Sequence, residues 1–67
     1  MSVDDIIDVT FVVAAYNTRE TISRTLASAL SQTDVAVEVI VVDDFSTDDT
    51  ASVVQEVIDP RVRLIRL

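Results

Sequence analysis

The 67-residue sequence contains no glycine, cysteine, histidine or tryptophan, and only one proline. Without cysteine there is no disulfide framework and no thiolate metal site. Without histidine there is no Ser-His-Asp triad and no imidazole ligand. A phosphate-binding loop of the dinucleotide-binding or P-loop kind needs glycine where the backbone meets the phosphates, so both kinds are excluded after the first predicted strand.

Lysine is also missing, and five arginines stand against twelve acidic residues, which gives a formal net charge of −7. A nucleic-acid-binding surface is therefore not expected, because contacts to phosphates need basic residues. Asp4, Asp5 and Asp8 lie where a signal peptide would carry basic residues, and no apolar run approaches the roughly 18 residues of a membrane-spanning helix. We expect no membrane segment in this chain and, by default, a cytoplasmic location; the sequence leaves open whether a parent protein is associated with a membrane.

Hydrophobic residues make up 49% of the sequence and fall into alternating strand-like and helix-like patterns. The patterns predict strands at residues 9–14, 37–42 and 62–67, and helices at residues 18–32 and from 46 or 47 to 58. The fold class is therefore α/β, a three-stranded βαβαβ unit with a mostly parallel, Rossmann-like sheet. Residues 1–67 should form a single unit, because no linker or repeat interrupts them.

Polar residues at the predicted helix starts match known capping patterns. Asn17 is the predicted N-cap of the first helix, and Glu20, three residues later, completes a capping box. Asp48 and Asp49 are predicted in the first turn of the second helix, where the helix dipole favours negative charge. Structural roles therefore account for these four side chains.

The order of the elements predicts that both helices cover the same face of the sheet, because parallel βαβ crossovers are right-handed. Yet residues 11–14 and 39–42 are apolar at successive positions, which is typical of strands covered on both faces. We therefore expect the chain to be a fragment of a longer protein. In isolation it should self-associate through the bare face or through the open edge of the first strand.

The most informative stretch is residues 39–50, in which an apolar strand stops at Asp43 and Asp44, and Ser46 or Thr47 begins a helix. Both carboxylates should lie on the loop at the carboxyl end of the second strand, where open α/β sheets bind their ligands. Taken alone, solvated carboxylates near a helix start would explain the pair equally well.

Three motifs in a fixed order resemble the opening segment of the family 2 inverting glycosyltransferases with the GT-A fold. They are Tyr16-Asn17 after the first strand, residues 25–33 with their closing Gln32-Thr33, and the acidic stretch at residues 38–50. The resemblance covers residues 9–67. It implies that the chain is the N-terminal, nucleotide-sugar-binding part of such an enzyme, and that the βαβαβ unit is half of a GT-A nucleotide-binding fold.

The resemblance also implies a site for a nucleotide-sugar donor, expected to be a UDP-sugar. Tyr16 matches the residue whose ring lies near the base, and Asp44 matches the acidic residue that accepts a hydrogen bond from the uracil imide. The nucleotide-sugar-binding residues implied in this way are Ala14, Ala15, Tyr16, Asn17, Asp43 and Asp44. Ala14 replaces a common proline and Phe45 a common glycine, so we expect that the loop after Asp44 cannot freely adopt a positive φ.

The sequence has no match for the family's Asp-x-Asp metal motif or for its catalytic base. The resemblance implies Mg²⁺ or Mn²⁺ in the full enzyme, but no cofactor, metal ligand or catalytic residue in this segment, which should be inactive alone. The alternative is a receiver-like or non-enzymatic α/β interaction module whose aspartates form a phospho-acceptor or cation pocket. A receiver also needs a lysine, which is absent, and titration of the isolated segment with Mg²⁺ would distinguish the two hypotheses.

Overall fold

The structure, a computed structural model, describes residues 6–67, so the acidic residues Asp4 and Asp5 lie outside the described part. Three strands alternate with two helices, which confirms the predicted βαβαβ order. The elements are β1 (Val9–Ala15), α1 (Ile22–Leu30), β2 (Val37–Asp43), α2 (Thr50–Gln55) and β3 (Val62–Arg66).

The three strands form one parallel sheet in the order β1-β2-β3, so β1 is an edge strand of the described sheet, as the sequence predicts. Ala15 pairs with Asp43, and Asp43 pairs with Arg66. The three strands therefore end at the same level. We call this end, defined by Ala15, Asp43 and Arg66, the carboxyl edge.

One face of the sheet carries the hydrophobic core, and both helices pack on it. Val39 and Val41 of β2 are fully buried there, against Leu26 of α1 and Val54 of α2. The opposite face is bare among the described residues: Val12 is 68% exposed and Ile65 is 43% exposed. The prediction that both helices share one face is therefore correct. The alternation of β2 between fully and partly buried residues follows from the same arrangement.

Both helices begin later than the sequence predicts. Helix α1 begins at Ile22 with Thr21 as N-cap, and no side chain caps it, so the assignment of Asn17 and Glu20 as a capping box is wrong. Helix α2 begins at Thr50, so Asp48 and Asp49 precede its first turn rather than lie in it. Asn17, Asp48 and Asp49 instead form hydrogen bonds between the two loops at the carboxyl edge.

Arg61 connects the start of β3 to neighbouring elements. Arg61 precedes β3 and folds back on Asp59, with Nη2 2.7 Å from Oδ2 and Nε 3.0 Å from Oδ1. The hydrogen bonds from Arg61 lower the pKa of Asp59, and the same contact raises the pKa of Arg61. Arg61 Nη1 also donates to the carbonyl of Leu30 at 3.4 Å, so it connects the start of β3 to the end of α1.

Burial predicts a large difference between two identical substitutions in the isolated chain. Val41→Ala should lower the free energy of unfolding by about 2 kcal/mol, because it removes two buried carbons and leaves a cavity. Val12→Ala on the bare face should change it by less than about 0.5 kcal/mol at a concentration at which the chain is monomeric. Urea unfolding followed by circular dichroism measures both. Equal losses would contradict the assignment of the two faces.

Candidate nucleotide-binding site

The loops that follow β1 and β2 lie side by side at the carboxyl edge. The first loop, residues 16–21, connects β1 to α1, and the second loop, residues 44–49, connects β2 to α2. The backbone N–H of Asp44 donates to the carbonyl of Ala15 at 2.9 Å, which continues the strand pairing one residue beyond the sheet. The two loops therefore leave the sheet together.

A hydroxyl group connects the first loop to a buried carboxylate. The backbone N–H of Asn17 donates to Ser46 Oγ at 2.9 Å, and this hydroxyl donates to Asp43 Oδ1. Asp43 is the last residue of β2 and only 2% exposed, whereas the sequence placed it on the loop. Arg66 Nε lies 4.0 Å from its other oxygen, so a hydroxyl and a nearby cation offset the cost of burying the charge.

The side chain of Asn17 holds the second loop. Its Oδ1 accepts hydrogen bonds from the backbone N–H of Thr47 at 2.8 Å and of Asp48 at 3.3 Å. Asn17 has a φ of 50°, a left-handed conformation that asparagine tolerates better than most residues. Asn17 therefore caps the loop before α2 rather than the helix that follows it in sequence, because its side chain reaches across the carboxyl edge.

A second connection runs in parallel through Thr50 at the start of α2. Thr18 donates its backbone N–H to Thr50 Oγ1 at 2.9 Å, and this hydroxyl donates to Asp48 Oδ1. The other oxygen of Asp48 accepts from the backbone N–H of Arg19 at 3.3 Å. The hydroxyl of Thr50 is the main cause that lowers the pKa of Asp48, against an opposing effect of desolvation. Asp48 therefore connects the two loops as a carboxylate.

Three neighbouring side chains remain exposed at the carboxyl edge. Tyr16 on the first loop is 59% exposed, and Asp44 and Phe45 on the second loop are also exposed. Phe45 has a φ of 58°, although the sequence predicts that this loop cannot freely adopt a positive φ. For a residue with a Cβ this conformation costs about 1–2 kcal/mol. The loop adopts it nevertheless, in a segment held by the bonds through Asp44 and Ser46.

The structure divides the six residues predicted to bind a nucleotide sugar into three groups. Tyr16 and Asp44 are exposed at the carboxyl edge, while Asp43 and Asn17 hold the two loops together. Ala15 is buried and its carbonyl already accepts from Asp44, and Ala14 is exposed in β1. Direct contact of any of the six with a nucleotide stays a prediction.

The sequence pattern does not predict that two residues at this site, Ser46 and Thr50, connect the two loops. Each hydroxyl accepts a backbone N–H of the first loop and donates to an aspartate of the second β–α connection. The sequence contains a partial signal, since both hydroxyl residues alternate with aspartates between positions 43 and 50. Their partners in the first loop are about 30 residues away, a separation that no local pattern reveals.

Two surface hollows lie near these elements, and the larger is not at the loops. A hollow of about 440 Å³ runs between β1 and α1, with Phe11, Arg24 and Ala29 in its lining. A smaller hollow of about 350 Å³ is lined by residues 17–21 and Asp48. The smaller one adjoins the connected loops, but its lining includes neither Tyr16 nor Asp44.

Residues 6–67 contain no group of three or more acidic, histidine or cysteine side chains placed to hold a metal ion. Asp43 and Asp48 already accept hydrogen bonds from hydroxyl groups. This part of the chain therefore does not fit the Mg²⁺ or Mn²⁺ expected for a full enzyme. In the same residues, no helix is long and apolar enough to cross a membrane; the cytoplasmic location stays a prediction.

The parallel βαβαβ sheet with two connected loops at its carboxyl edge defines the chain as a Rossmann-like α/β unit. The profile of glycosyl transferase family 2 matches residues 10–67. The chain belongs to this family. Family membership favours the glycosyltransferase hypothesis over a receiver-like module.

Several proteins with assigned names are similar to this chain. The succinoglycan biosynthesis protein ExoO of Rhizobium meliloti (strain 1021) is 58% identical over 66 residues, which cover 98% of this chain and 19% of ExoO. The UDP-Glc:alpha-D-GlcNAc-diphosphoundecaprenol beta-1,3-glucosyltransferase WfaP of Escherichia coli is 45% identical over 58 residues, 87% of this chain and 23% of WfaP. The chain thus spans about a fifth of the length of these two relatives.

Substitutions of Asn17 should separate the contribution of its side-chain acceptor from that of its left-handed backbone conformation. Asn17→Ala removes the acceptor for two backbone N–H groups and replaces asparagine by a residue that tolerates a positive φ less well, so it should lower the free energy of unfolding by about 2–3 kcal/mol. Asn17→Gly removes the same acceptor without the backbone penalty and should be about 1 kcal/mol less harmful. Urea unfolding of the chain measures this difference. If alanine were tolerated better than glycine, the left-handed conformation would be wrong.

Proposed function

We propose that the protein containing this chain transfers a sugar from a nucleotide-sugar donor, expected to be a UDP-sugar, to an acceptor with inversion at the sugar carbon. Residues 1–67 contribute part of the donor-binding subdomain. Membership of glycosyl transferase family 2 supports sugar transfer as the reaction. The name of WfaP includes UDP-Glc, which supports a uridine nucleotide as the donor class.

The observation that carries the proposal is the exposure of Tyr16 and Asp44 on two loops that are bonded to each other. An ionised carboxylate only accepts hydrogen bonds, and the N3–H of uracil is a donor, so Asp44 matches the edge of a uracil base. The exposed ring of Tyr16 offers a face on which a base can stack. The bond between Asp44 and Ala15 keeps the two groups on neighbouring loops.

The other predicted residues support these two contacts. Asp43 accepts from Ser46, and Asn17 accepts from the backbone of the second loop, so both fix the loop that carries Asp44. Ala14 and Ala15 would offer backbone groups close to the base. A rigid site loses less conformational entropy when the nucleotide binds.

The bond-making chemistry is proposed to lie elsewhere in the protein. Residues 6–67 contain no set of ligands for the expected Mg²⁺ or Mn²⁺. Of the carboxylates at the carboxyl edge, Asp43 is buried and Asp44 is assigned to the base, while Asp48 and Asp49 bond to Arg19. The 67-residue chain alone should therefore bind a nucleotide weakly and transfer no sugar.

Asp44→Asn in the full-length protein should weaken the binding of UDP by about 1–3 kcal/mol, because a hydrogen bond to a charged group is lost. Isothermal titration calorimetry with UDP measures the change in affinity. Asp49→Asn is the matched control, since Asp49 lies on the same loop and its carboxylate makes an exposed ion pair with Arg19 at 3.3 Å. Unchanged affinity for UDP in Asp44→Asn would contradict the assigned role.

We also propose that the isolated chain associates with itself through its bare face, where Val12 and Ile65 are exposed. Apolar surface of this kind is stabilised when another surface covers it. Sedimentation velocity of the 67-residue chain should show dimers or larger species, and Val12→Asp should shift the population toward monomer. Ile58→Asp is the control, because Ile58 is 96% exposed but lies outside the strands. A wild-type chain that stays monomeric would overturn this proposal.

A further inference from the structure

Phe45 combines an unfavourable backbone with an exposed side chain. Three of the described residues other than glycine have a positive φ, namely Asn17, Asp34 and Phe45. Asparagine and aspartate tolerate this conformation, but a bulky aromatic residue is an outlier there. Phe45 is also 70% exposed, so burial within the described residues does not compensate the strain. Strain that the local fold does not explain is typical of residues with a functional role.

Two hydrogen bonds between the loops bracket Tyr16 and Phe45. Asp44 N–H donates to Ala15 O before these two residues, and Asn17 N–H donates to Ser46 Oγ after them, each at 2.9 Å. Positions 16 and 45 therefore both lie in the short stretch between the two bonds. Two exposed aromatic side chains and the exposed carboxylate of Asp44 thus share one short segment of the carboxyl edge.

We propose that Phe45 is a second base-contacting residue, which together with Tyr16 gives the nucleobase of the donor an aromatic surface beside Asp44. This inference rests on the proposed function, because it assigns a further contact in the same site. Stacking requires only the planar face of a base, whereas the hydrogen bond to Asp44 requires an N–H at the N3 position of the base. Phe45 therefore contributes affinity for any base, and Asp44 selects uracil.

The different roles of Phe45 and Asp44 predict that their variants respond differently to UDP and CDP, because cytosine has no N–H at N3 that could donate to Asp44. Phe45→Leu keeps an apolar side chain but removes the ring. It should therefore weaken the binding of both nucleotides by a similar factor of about tenfold. Asp44→Asn should weaken the binding of UDP more than the binding of CDP. Phe45→Tyr keeps the ring and should bind both nucleotides like the unmodified protein.

The test is calorimetric titration of the full-length protein and these variants with UDP and CDP, together with their thermal midpoints. Ile58→Ala serves as the control, because Ile58 is an exposed apolar residue away from the carboxyl edge. Phe45→Gly also tests stability. Glycine adopts a positive φ without strain, so this variant should weaken the binding of UDP without lowering the midpoint of thermal unfolding. Weaker binding in Phe45→Leu and Phe45→Gly, with normal binding in Phe45→Tyr, supports the inference.

Other results would contradict the role of Phe45. They can be distinguished from results that contradict the proposed function. If Asp44→Asn weakens UDP but Phe45→Leu binds normally, only the role of Phe45 is wrong. If Phe45→Gly lowers the midpoint and leaves the affinity unchanged, Phe45 packs against another part of the protein instead. If the unmodified protein binds neither nucleotide, the proposed function and this inference both fail.

Discussion

The register between β1 and β2 is the constraint on which the site depends. Because Ala15 is level with Asp43, the two loops leave the sheet at the same height and their backbones meet. The bond from Asp44 to Ala15 and the contacts of Asn17 with the second loop are available only in this register. A shift of one residue would turn Asp43 from the core to the opposite face and remove the acceptor of Ser46.

The absence of glycine explains how these loops are built. Where other proteins use glycine to bend a loop, this chain uses side chains of the second β–α connection to bind backbone N–H groups of the first loop. Ser46 and Thr50 each accept one N–H and pass a hydrogen bond to an aspartate, so two carboxylates hold the loops. Side chains bonded on both sides have few alternative rotamers, which makes the loop conformation specific.

Sequence reasoning correctly identified the strands and their parallel arrangement, because apolar runs of β-branched residues have few other solutions. It placed the helix starts three to four residues too early, since it took Asn17 as the N-cap of α1 and placed Asp48 in the first turn of α2. Asn17 instead bonds across the carboxyl edge. Asp48 bonds both to Thr50 at the start of α2 and to the backbone of Arg19 across the edge. Adjacent aspartates also look equivalent in sequence, yet strand alternation buries Asp43 and exposes Asp44. Such differences arise from tertiary contacts and have no local pattern.

Burial distinguishes two groups that hold the loops from those available to a ligand. Asp43 and Thr50 are buried and bonded, whereas Tyr16, Asp44 and Phe45 are exposed. Loss of a partner from a buried carboxylate leaves its charge uncompensated and destabilises the fold. Loss of an exposed ring leaves the loop bonds intact. Substitutions at the exposed positions therefore report on binding with little effect on folding, while those at Asp43 or Thr50 change both and cannot by themselves assign a contact with the nucleotide.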